Sequence, residues 1–363
     1  MFSQESIAYL KKALKERKVS RAPLDLQLLP TTRCNARCFF CPIYAVSEAG
    51  KEKYAPRWQA PAGDFNLGIF DRLVEDLWRL GGLKRIHITG GEPLLYSHII
   101  PMLFLLRINF PQVEIALVTN GILLKDYARA LAELGLDRIS VSVNAGTRES
   151  FSRQMKVSEE KFDQLWKGIR TLAKYRKTQK PFISLTAVLN QANYQEVEEL
   201  YSLASDSGAD ALTFLSLMDF PFPGEPEREF ALSQEEFQVF LRGLEKLQAQ
   251  AEKSGVYLGF TGTDQHLGKL RSGDIYKRIP CYAGYVFAMV WPDGSVRACC
   301  NCEEVLGKLT EQGFYELWTG ERAQRIRERM FQINQLGAPE LCDCQECSYL
   351  YENQKFYELL KDE

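Results

Sequence analysis

Short apolar runs rich in β-branched residues alternate with longer stretches of helical periodicity between residues 25 and 217. One helical stretch is residues 66–82, where apolar side chains recur at spacings of three and four. Alternation of this kind builds a parallel sheet whose strands are joined by crossover helices. It predicts an α/β fold, a partial (β/α)6 TIM-like barrel, with strands at LDLQLL from residue 24, RIHIT from 85, VEIALVT from 113, DRISVSV from 137, PFISLTAVL from 181 and ADALTFLSL from 209.

The pattern changes towards the C-terminal end of the chain. After a helical stretch at about 233–254 comes YVFAMVWPDGSVRACC, whose Pro-Asp-Gly at 292–294 is a turn signal between two strands. We therefore predict three parts: an N-terminal helical extension at 1–23, the barrel at 24–274, and a small α+β part at 275–363 made of a hairpin plus helices.

The composition is that of a soluble globular protein, with 45% apolar and 25% charged residues among 363. A formal net charge of -2 leaves no basic footprint for nucleic acid. The most apolar window, residues 98–110, is too short to cross a bilayer, and the N-terminus has no signal-peptide pattern. We predict a cytoplasmic protein without membrane or nucleic-acid partners, whose ten cysteines are reduced, metal-binding thiols rather than disulfides.

The stretch TTRCNARCFFC at 31–41 groups Cys34, Cys38 and Cys41, and the next cysteine is Cys281. Structural zinc sites usually take four ligands from two paired knuckles, whereas this group has three thiols and its nearest histidine, His87, is interior to a strand. A 4Fe-4S cluster normally takes four thiolates, so three would leave one iron open to an exogenous ligand. The grouping therefore favours an iron-sulfur cluster with an open position.

Functional groups of parallel α/β folds collect at the carboxyl ends of the strands. Here the first predicted strand runs into Cys34, and the later ones run into polar or glycine-rich segments. These segments would face one mouth of the barrel: TGGEP at 89–93, TNG at 119–121, NAG at 144–146 and MDFPFPGEPERE at 218–229.

The combination resembles the radical SAM superfamily, whose Cys-x3-Cys-x2-Cys signature after the first barrel strand is matched by Cys34, Cys38 and Cys41. The TGGEP segment resembles the family's second motif. The resemblance implies that a 4Fe-4S cluster binds S-adenosylmethionine (SAM). It also implies cleavage of SAM to a 5'-deoxyadenosyl radical, hydrogen-atom abstraction from the substrate, and an external electron donor such as flavodoxin or ferredoxin.

The resemblance also implies contacts to SAM. The second motif would hold the methionyl amino group, two aromatic or apolar residues would pack on adenine, two polar residues would contact ribose, and an arginine would face the methionyl carboxylate. Core packing and a solvated helix face are the alternatives for Phe40 and Arg153. Asparagine stands at 144 where many relatives carry aspartate. The implied residues are Gly90, Gly91 and Glu92 for the amino group, Phe40 and Met218 for adenine, Ser142 and Asn144 for ribose, and Arg153 for the carboxylate.

A second cysteine group resembles the SPASM and twitch extensions of the same superfamily, which bind auxiliary 4Fe-4S clusters. Cys281, Gly294 and Cys299 match their opening, and Cys344 and Cys347 match the closing pair. The further cysteine run of a full SPASM domain is absent, so the resemblance implies one auxiliary 4Fe-4S cluster with four ligands. Three cysteines are left over: Cys300, Cys302 and Cys342. They could be inert thiols, Cys300 or Cys342 could replace a neighbouring ligand, or one of the three could donate a hydrogen atom near the substrate.

A fully ligated auxiliary cluster has no site for substrate, which favours electron acceptance and a two-electron oxidation. About 24 residues precede the first strand, too few for a leader-binding domain. We therefore predict dehydrogenation of a small hydroxylated metabolite such as an aminocyclitol or sugar. Epimerisation, crosslinking or oxidation of a ribosomally made peptide remains open. A third hypothesis is a non-enzymatic electron carrier, and the TGGEP motif argues against it. Candidate proton acceptors are Asp264 and His266.

Overall fold

The computed structural model describes residues 3–41, 43, 63–217, 231–261, 272–342, 344 and 347–361. All six predicted barrel strands form, each within two residues of its expected bounds. The strands are β1 Asp25–Leu28, β2 Arg85–Ile88, β3 Glu114–Thr119, β4 Arg138–Ser142, β5 Phe182–Leu189, β6 Ala211–Ser216, β7 Tyr257–Thr261, β8 Phe287–Val290, β9 Ser295–Arg297 and β10 Val305–Lys308.

Helices fill the intervals between the strands, and the stretch expected at 66–82 begins with a 3-10 turn at Leu67–Ile69 before its α-helix. A second 3-10 turn lies at Pro93–Leu95. The α-helices are α1 Gln4–Glu16, α2 Phe70–Leu80, α3 Ile99–Asn109, α4 Leu124–Glu133, α5 Arg148–Met155, α6 Glu160–Tyr175, α7 Val197–Ser207, α8 Gln234–Ser254, α9 Ser272–Ile275, α10 Ala283–Val286, α11 Phe314–Thr319, α12 Glu321–Phe331, α13 Ile333–Leu336 and α14 Leu350–Leu360.

Within the described residues the ten strands form one sheet in the order β10-β9-β8-β1-β2-β3-β4-β5-β6-β7. Strands β1 to β7 pair in parallel with their neighbours, and β8 pairs in parallel with the free side of β1. The predicted hairpin forms as β8 and β9, which are antiparallel. The predicted fold class is confirmed, and the sheet continues across the part boundary expected at 274.

The two faces of the sheet differ sharply in chemistry. Alternate residues such as Leu26, Ile86 and Leu117 are completely buried and form the core under the helices. The opposite face, which we call the inner face, carries several half-buried polar side chains among larger ones. Strand register places Gln27 beside His87 on this face, and it places Ser142, Thr186 and Thr213 side by side on three later strands.

Candidate functional site

The first cysteine group lies on the loop that leaves the carboxyl end of β1. The Cys41 amide donates to the Cys38 carbonyl oxygen at 3.1 Å, and the Ala36 amide donates to Cys34 Sγ at 3.4 Å. Cys34 is exposed, and the other two thiols are half-buried. The loop therefore presents all three sulfurs on one short, internally bonded turn.

The end of α5 supports this loop from the side. The Arg37 amide donates to the Met155 carbonyl oxygen at 2.8 Å, and the Phe39 amide donates to the Gln154 carbonyl oxygen at 3.4 Å. Cys38 Sγ also lies 3.2 Å from Met155 Sδ. The position of the cysteines is therefore set by α5 as well as by β1.

The thiols repel one another's negative charge. Although part of the residue is exposed, desolvation of its sulfur raises the pKa of Cys34 to about 11. Burial also raises the pKa of Cys38 well above its usual range, and the sulfurs of Cys41 and Cys34 raise it further. Three mutually repelling thiolates require a cationic partner. The described histidine, cysteine and acidic side chains hold no single-ion site. In a 4Fe-4S cluster each thiolate would bind a different iron.

The glycines of TGGEP let the cysteine loop approach β2. The Gly91 amide donates to the Thr31 carbonyl oxygen at 2.9 Å, and the Glu92 amide donates to the Arg33 carbonyl oxygen at 2.8 Å. A Cβ on Gly91 would lie 2.2 Å from the Arg33 oxygen, and one on Gly90, where φ is +125°, would lie 2.6 Å from the Thr31 oxygen. Only glycine permits this backbone contact.

We expect Gly91→Ala to lose most of the iron at the first cysteine group, because the added methyl group displaces the Arg33 backbone that leads into it. Gly243→Ala in α8 is the matched control, since its Cβ would meet Val197 at an ordinary 3.6 Å. The control should keep its iron and gain up to about 1 kcal/mol of stability. Iron per chain and thermal unfolding after anaerobic reconstitution measure both effects. Equal iron in the two variants would contradict the role given to Gly91.

Glu92 links β2 to β3 from a fully buried position, with 0% of the residue exposed. Its Oε1 accepts from Thr119 Oγ1 at 2.7 Å and from the Leu94 amide at 3.0 Å, and its Oε2 accepts from the Asn120 amide at 2.7 Å. Burial raises the pKa of this carboxyl to about 7, against the lowering effect of these hydrogen bonds. Glu92 therefore braces two strand ends, and its contact with the SAM amino group stays a prediction.

Asn120 connects the end of β3 to the cysteine loop, a role that was not predicted. Its Nδ2 donates to Asn35 Oδ1 at 2.7 Å and lies 3.7 Å from Cys34 Sγ, while its Oδ1 accepts from the Ile122 amide at 3.0 Å. The position of TNG at a strand end was the available signal. The side chain's direction, which decides the role, is not visible in sequence.

A buried amide network lies under the predicted ribose site. Asn144 Oδ1 accepts from the Val188 amide at 3.0 Å, and its carbonyl oxygen accepts from Asn193 Nδ2 at 2.8 Å and Gln154 Nε2 at 3.2 Å. Asn190 Nδ2 donates to Gln154 Oε1 at 2.8 Å. The network joins β4, β5 and the end of α5, so it supports the cysteine loop indirectly. No periodic pattern in the sequence signals it.

The second cysteine group lies at the opposite edge of the sheet from the first. β8 runs parallel to β1, with Phe287 paired with Asp25. Cys281 comes shortly before β8 in the chain and therefore lies on the side of the amino-terminal ends of these strands. The antiparallel β9 ends towards that edge, and Cys299 follows it. Asp25 at the start of β1 also interacts electrostatically with Cys300. The two cysteine sites are therefore separated by the length of the strands, with the inner face between them.

The sulfurs of the second group act on one another. Burial raises the pKa of Cys281 to about 11, and burial with the Cys281 charge raises that of Cys347 well above its usual range. A hydrogen bond with Cys300, together with burial, raises the pKa of Cys299. Cys300 is thus part of this group, while Cys344 is half-buried against the core. The residues fit an iron-sulfur cluster, with Cys300 as an additional candidate ligand.

Cys302 and Cys342 form a disulfide. The prediction that all ten cysteines are reduced thiols is therefore wrong for this pair. The two residues are opposite each other in an antiparallel bridge, which the Glu303 amide supports by donating to the Leu341 carbonyl oxygen at 2.9 Å. Cys342 is consequently not a substitute ligand for the auxiliary cluster in this structure.

Family models match both regions. The model described as the radical SAM superfamily matches residues 28–204, and the model described as an iron-sulfur cluster-binding domain, SPASM, matches residues 281–348. The chain belongs to the radical SAM superfamily. The predicted cofactors are thereby confirmed: SAM, a SAM-binding 4Fe-4S cluster, and auxiliary iron-sulfur binding in the SPASM region.

Relatives of this radical SAM protein are named GTP 3',8-cyclases. It is 27% identical over 291 residues to a probable GTP 3',8-cyclase of Metallosphaera sedula, covering 80% of this chain and 78% of that one. It is 30% identical over 216 residues to one of Archaeoglobus fulgidus, covering 59% and 66%. It is 33% identical over 200 residues to the GTP 3',8-cyclase of Acidothermus cellulolyticus, where the match spans about half of each chain, 54% and 51%.

Solved structures share the fold. SuiB of Streptococcus suis bound to S-adenosylmethionine has a TM-score of 0.64 at 17% identity, covering 90% of this chain and 72% of SuiB. Native anSMEcpe with bound AdoMet has a TM-score of 0.63 at 16% identity, covering 94% and 98%. At such identities the likeness establishes the radical SAM fold alone.

The remaining predicted residues differ in their placement. Phe40 is half-buried, with its ring edge-on to Phe39 at 5.0 Å, and Ser142 ends β4 on the inner face. Arg153 is exposed on α5. Met218, Asp264 and His266 lie outside the described residues. No helix among the described residues is sufficiently long and apolar to traverse a membrane.

Proposed function

We propose that this radical SAM enzyme carries out the two-electron oxidation of a small hydroxyl-bearing substrate on the inner face of its sheet. The observation that carries the proposal is the chemistry of that face between two cysteine sites. It offers uncharged hydrogen-bonding groups over several strands, including Gln27, Ser142 and Thr186. Small polar side chains leave room for a compact substrate and supply partners for its hydroxyl groups.

Cys34, Cys38 and Cys41 would hold the SAM-binding cluster, and the cysteines of the SPASM region would hold the auxiliary one. When bound, these groups supply a radical that takes a hydrogen atom from the substrate and an acceptor for one electron. The chain must then bind the substrate, exclude water and accept the hydroxyl proton. An external one-electron donor such as flavodoxin or ferredoxin remains a prediction.

His87 is the proton acceptor that we propose. It is half-buried on the inner face, in register with Gln27. Burial lowers the pKa of His87 to about 4, and the nearby Arg85 and Arg138 charges act in the same direction against Asp25. A neutral imidazole keeps one nitrogen free to accept a hydrogen bond from a substrate hydroxyl at neutral pH. The predicted Asp264 and His266 pair lies outside the described residues and stays a prediction.

The lowered pKa of His87 predicts a pH dependence of stability. Between its ordinary 6.5 and about 4, the unfolded chain binds a proton that the folded chain does not. The free energy of unfolding should therefore fall as pH falls through this window, by up to about 1.4 kcal/mol per pH unit. His87→Gln should lack this component, as measured by denaturant unfolding at several pH values. Parallel curves for the parent and the variant would contradict a neutral His87.

A second candidate function is cyclisation of GTP, which the names of the relatives favour. A triphosphate requires several free cationic groups. On the described inner face, Arg85 is paired with Asp25, and the Arg138 guanidinium lies over the Phe182 ring at 4.5 Å. Arg297 lies in the same register row as Met289 and Gln27, but it is buried, with its guanidinium over the Trp291 ring at 4.6 Å. The described cations of this face are therefore engaged by other groups, which supports a neutral polyol better than a nucleotide.

One assay separates the candidates. The anaerobically reconstituted enzyme is given SAM, a reductant and, in separate reactions, aminocyclitols and sugars, GTP, or short peptides. Substrate-dependent deoxyadenosine together with a product lighter by two hydrogen atoms from a polyol is the expected result. A cyclised nucleotide from GTP, or a modified peptide with no reaction of the polyols, would overturn the proposal.

A further inference from the structure

We propose that Tyr276 is a positioning residue of the auxiliary cluster, which donates a hydrogen bond to the ligating sulfur of Cys347 and raises the cluster's reduction potential. The inference rests on Cys347 as a ligand and is independent of the substrate. It therefore goes beyond the proposed function and can fail separately from it.

The contact is direct and shielded from water. Tyr276 Oη lies 3.1 Å from Cys347 Sγ, and 3% of the tyrosine is exposed. A thiolate bound to iron has no proton to give, so the phenol must be the donor and the sulfur the acceptor. Its burial makes a solvent molecule a poor substitute partner for the sulfur.

Backbone clamps hold the two residues together. Asn353 in α14 accepts from the Tyr282 amide at 2.6 Å and donates to the Pro280 carbonyl oxygen at 2.8 Å. The start of α14 is tied to Cys347, whose carbonyl oxygen accepts from the Leu350 amide at 3.3 Å. The segment that carries Tyr276 is therefore fixed against the segment that carries Cys347 by a buried side chain.

The chemical consequence concerns the redox state of the cluster. Reduction adds one electron, and part of its negative charge resides on the ligating sulfurs. A hydrogen bond to such a sulfur therefore stabilises the reduced state more than the oxidised state. Removing the donor should make the cluster harder to reduce without removing a ligand.

The test is an anaerobic redox titration followed by electron paramagnetic resonance, in a Cys34→Ala, Cys38→Ala, Cys41→Ala background that leaves the auxiliary signal alone. Tyr276→Phe should keep its iron and lower the midpoint potential. We expect about a tenfold change in the reduction equilibrium, or about 59 mV for a one-electron couple. An unchanged potential at full iron content would overturn the proposal.

Tyr349→Phe is the matched control. Tyr349 is also buried, and its backbone amide donates to the Cys347 thiol, but its hydroxyl has no hydrogen-bond partner among the described residues. Its potential should match the parent's, and a shift equal to that of Tyr276→Phe would show a general packing effect and overturn the proposal. If Tyr276→Phe does not assemble its cluster, 3-fluorotyrosine at 276, a stronger donor, should raise the potential. A lowered or unchanged value there would overturn it.

Discussion

Alanine at Cys34, Cys38 and Cys41 is expected to lower the iron content from about eight to about four per chain and to abolish cleavage of SAM. The three sulfurs lie on the loop after β1. Burial and repulsion from the other two sulfurs raise the pKa of Cys38, so the three thiolates need a cationic group to neutralise their charge. Removing all three deletes every protein ligand that we assign to this site. Iron analysis and chromatography of deoxyadenosine measure the two losses.

The control for this variant removes other cysteines. Cys302→Ser with Cys342→Ser deletes the disulfide, which belongs to neither proposed ligand set. It should retain about eight irons and SAM cleavage. Deoxyadenosine formation by the triple alanine variant would show that the SAM-binding cluster is held elsewhere.

The second large effect is expected from Cys344→Ala with Cys347→Ala. This variant should keep the first cluster and still form deoxyadenosine, yet lose nearly all of the oxidised product. The reason is that the variant removes two ligands of the auxiliary cluster, which is the proposed acceptor of the substrate radical's second electron. The auxiliary site lies at the opposite end of the strands from the first cluster, so its loss should leave the first cluster in place. The measurement is the ratio of oxidised product to deoxyadenosine with the polyol substrate.

Cys300→Ala refines this experiment, because Cys300 lies among the auxiliary sulfurs with its Sγ 2.9 Å from Ser348 Oγ. If Cys281, Cys299, Cys344 and Cys347 are the ligands, the Cys300 variant keeps both clusters and its product ratio. Loss of auxiliary iron from this variant, with iron retained when Cys344 alone is replaced, would reassign the fourth ligand. An unchanged product ratio in the double variant, or a redox-neutral product from the parent, would contradict the oxidation itself.

The strands and the first cysteine site could be predicted because their signals are local. The β-branched runs locate β1 to β6, and Cys34, Cys38 and Cys41 are neighbours along the chain. Motif spacing likewise identifies the SPASM region, where four cysteines were assigned by resemblance. The pairing of β8 with β1 has no local signal, because a hairpin pattern does not state which strand it joins.

Contacts between distant segments account for the residues that were missed. Asn120 supports the site by donating a hydrogen bond to Asn35, and Gln154 does so by accepting one from Asn190. The disulfide depends on the approach of residues 40 positions apart. The sequence places His87 inside a strand, but its inward direction follows from its register with Gln27. Each depends on tertiary geometry that periodicity does not encode.

The pairing of β8 with β1 makes the C-terminal cysteine region inseparable from the barrel. Cutting the chain before residue 275 would leave β1 at the edge of the sheet, with the peptide groups that now face β8 unpaired. Such an edge is a template for intermolecular strand pairing and aggregation. The cut would also remove Trp318, which is fully buried and donates from Nε1 to the Arg21 carbonyl oxygen at 2.8 Å. A shortened barrel would therefore be recovered as insoluble material.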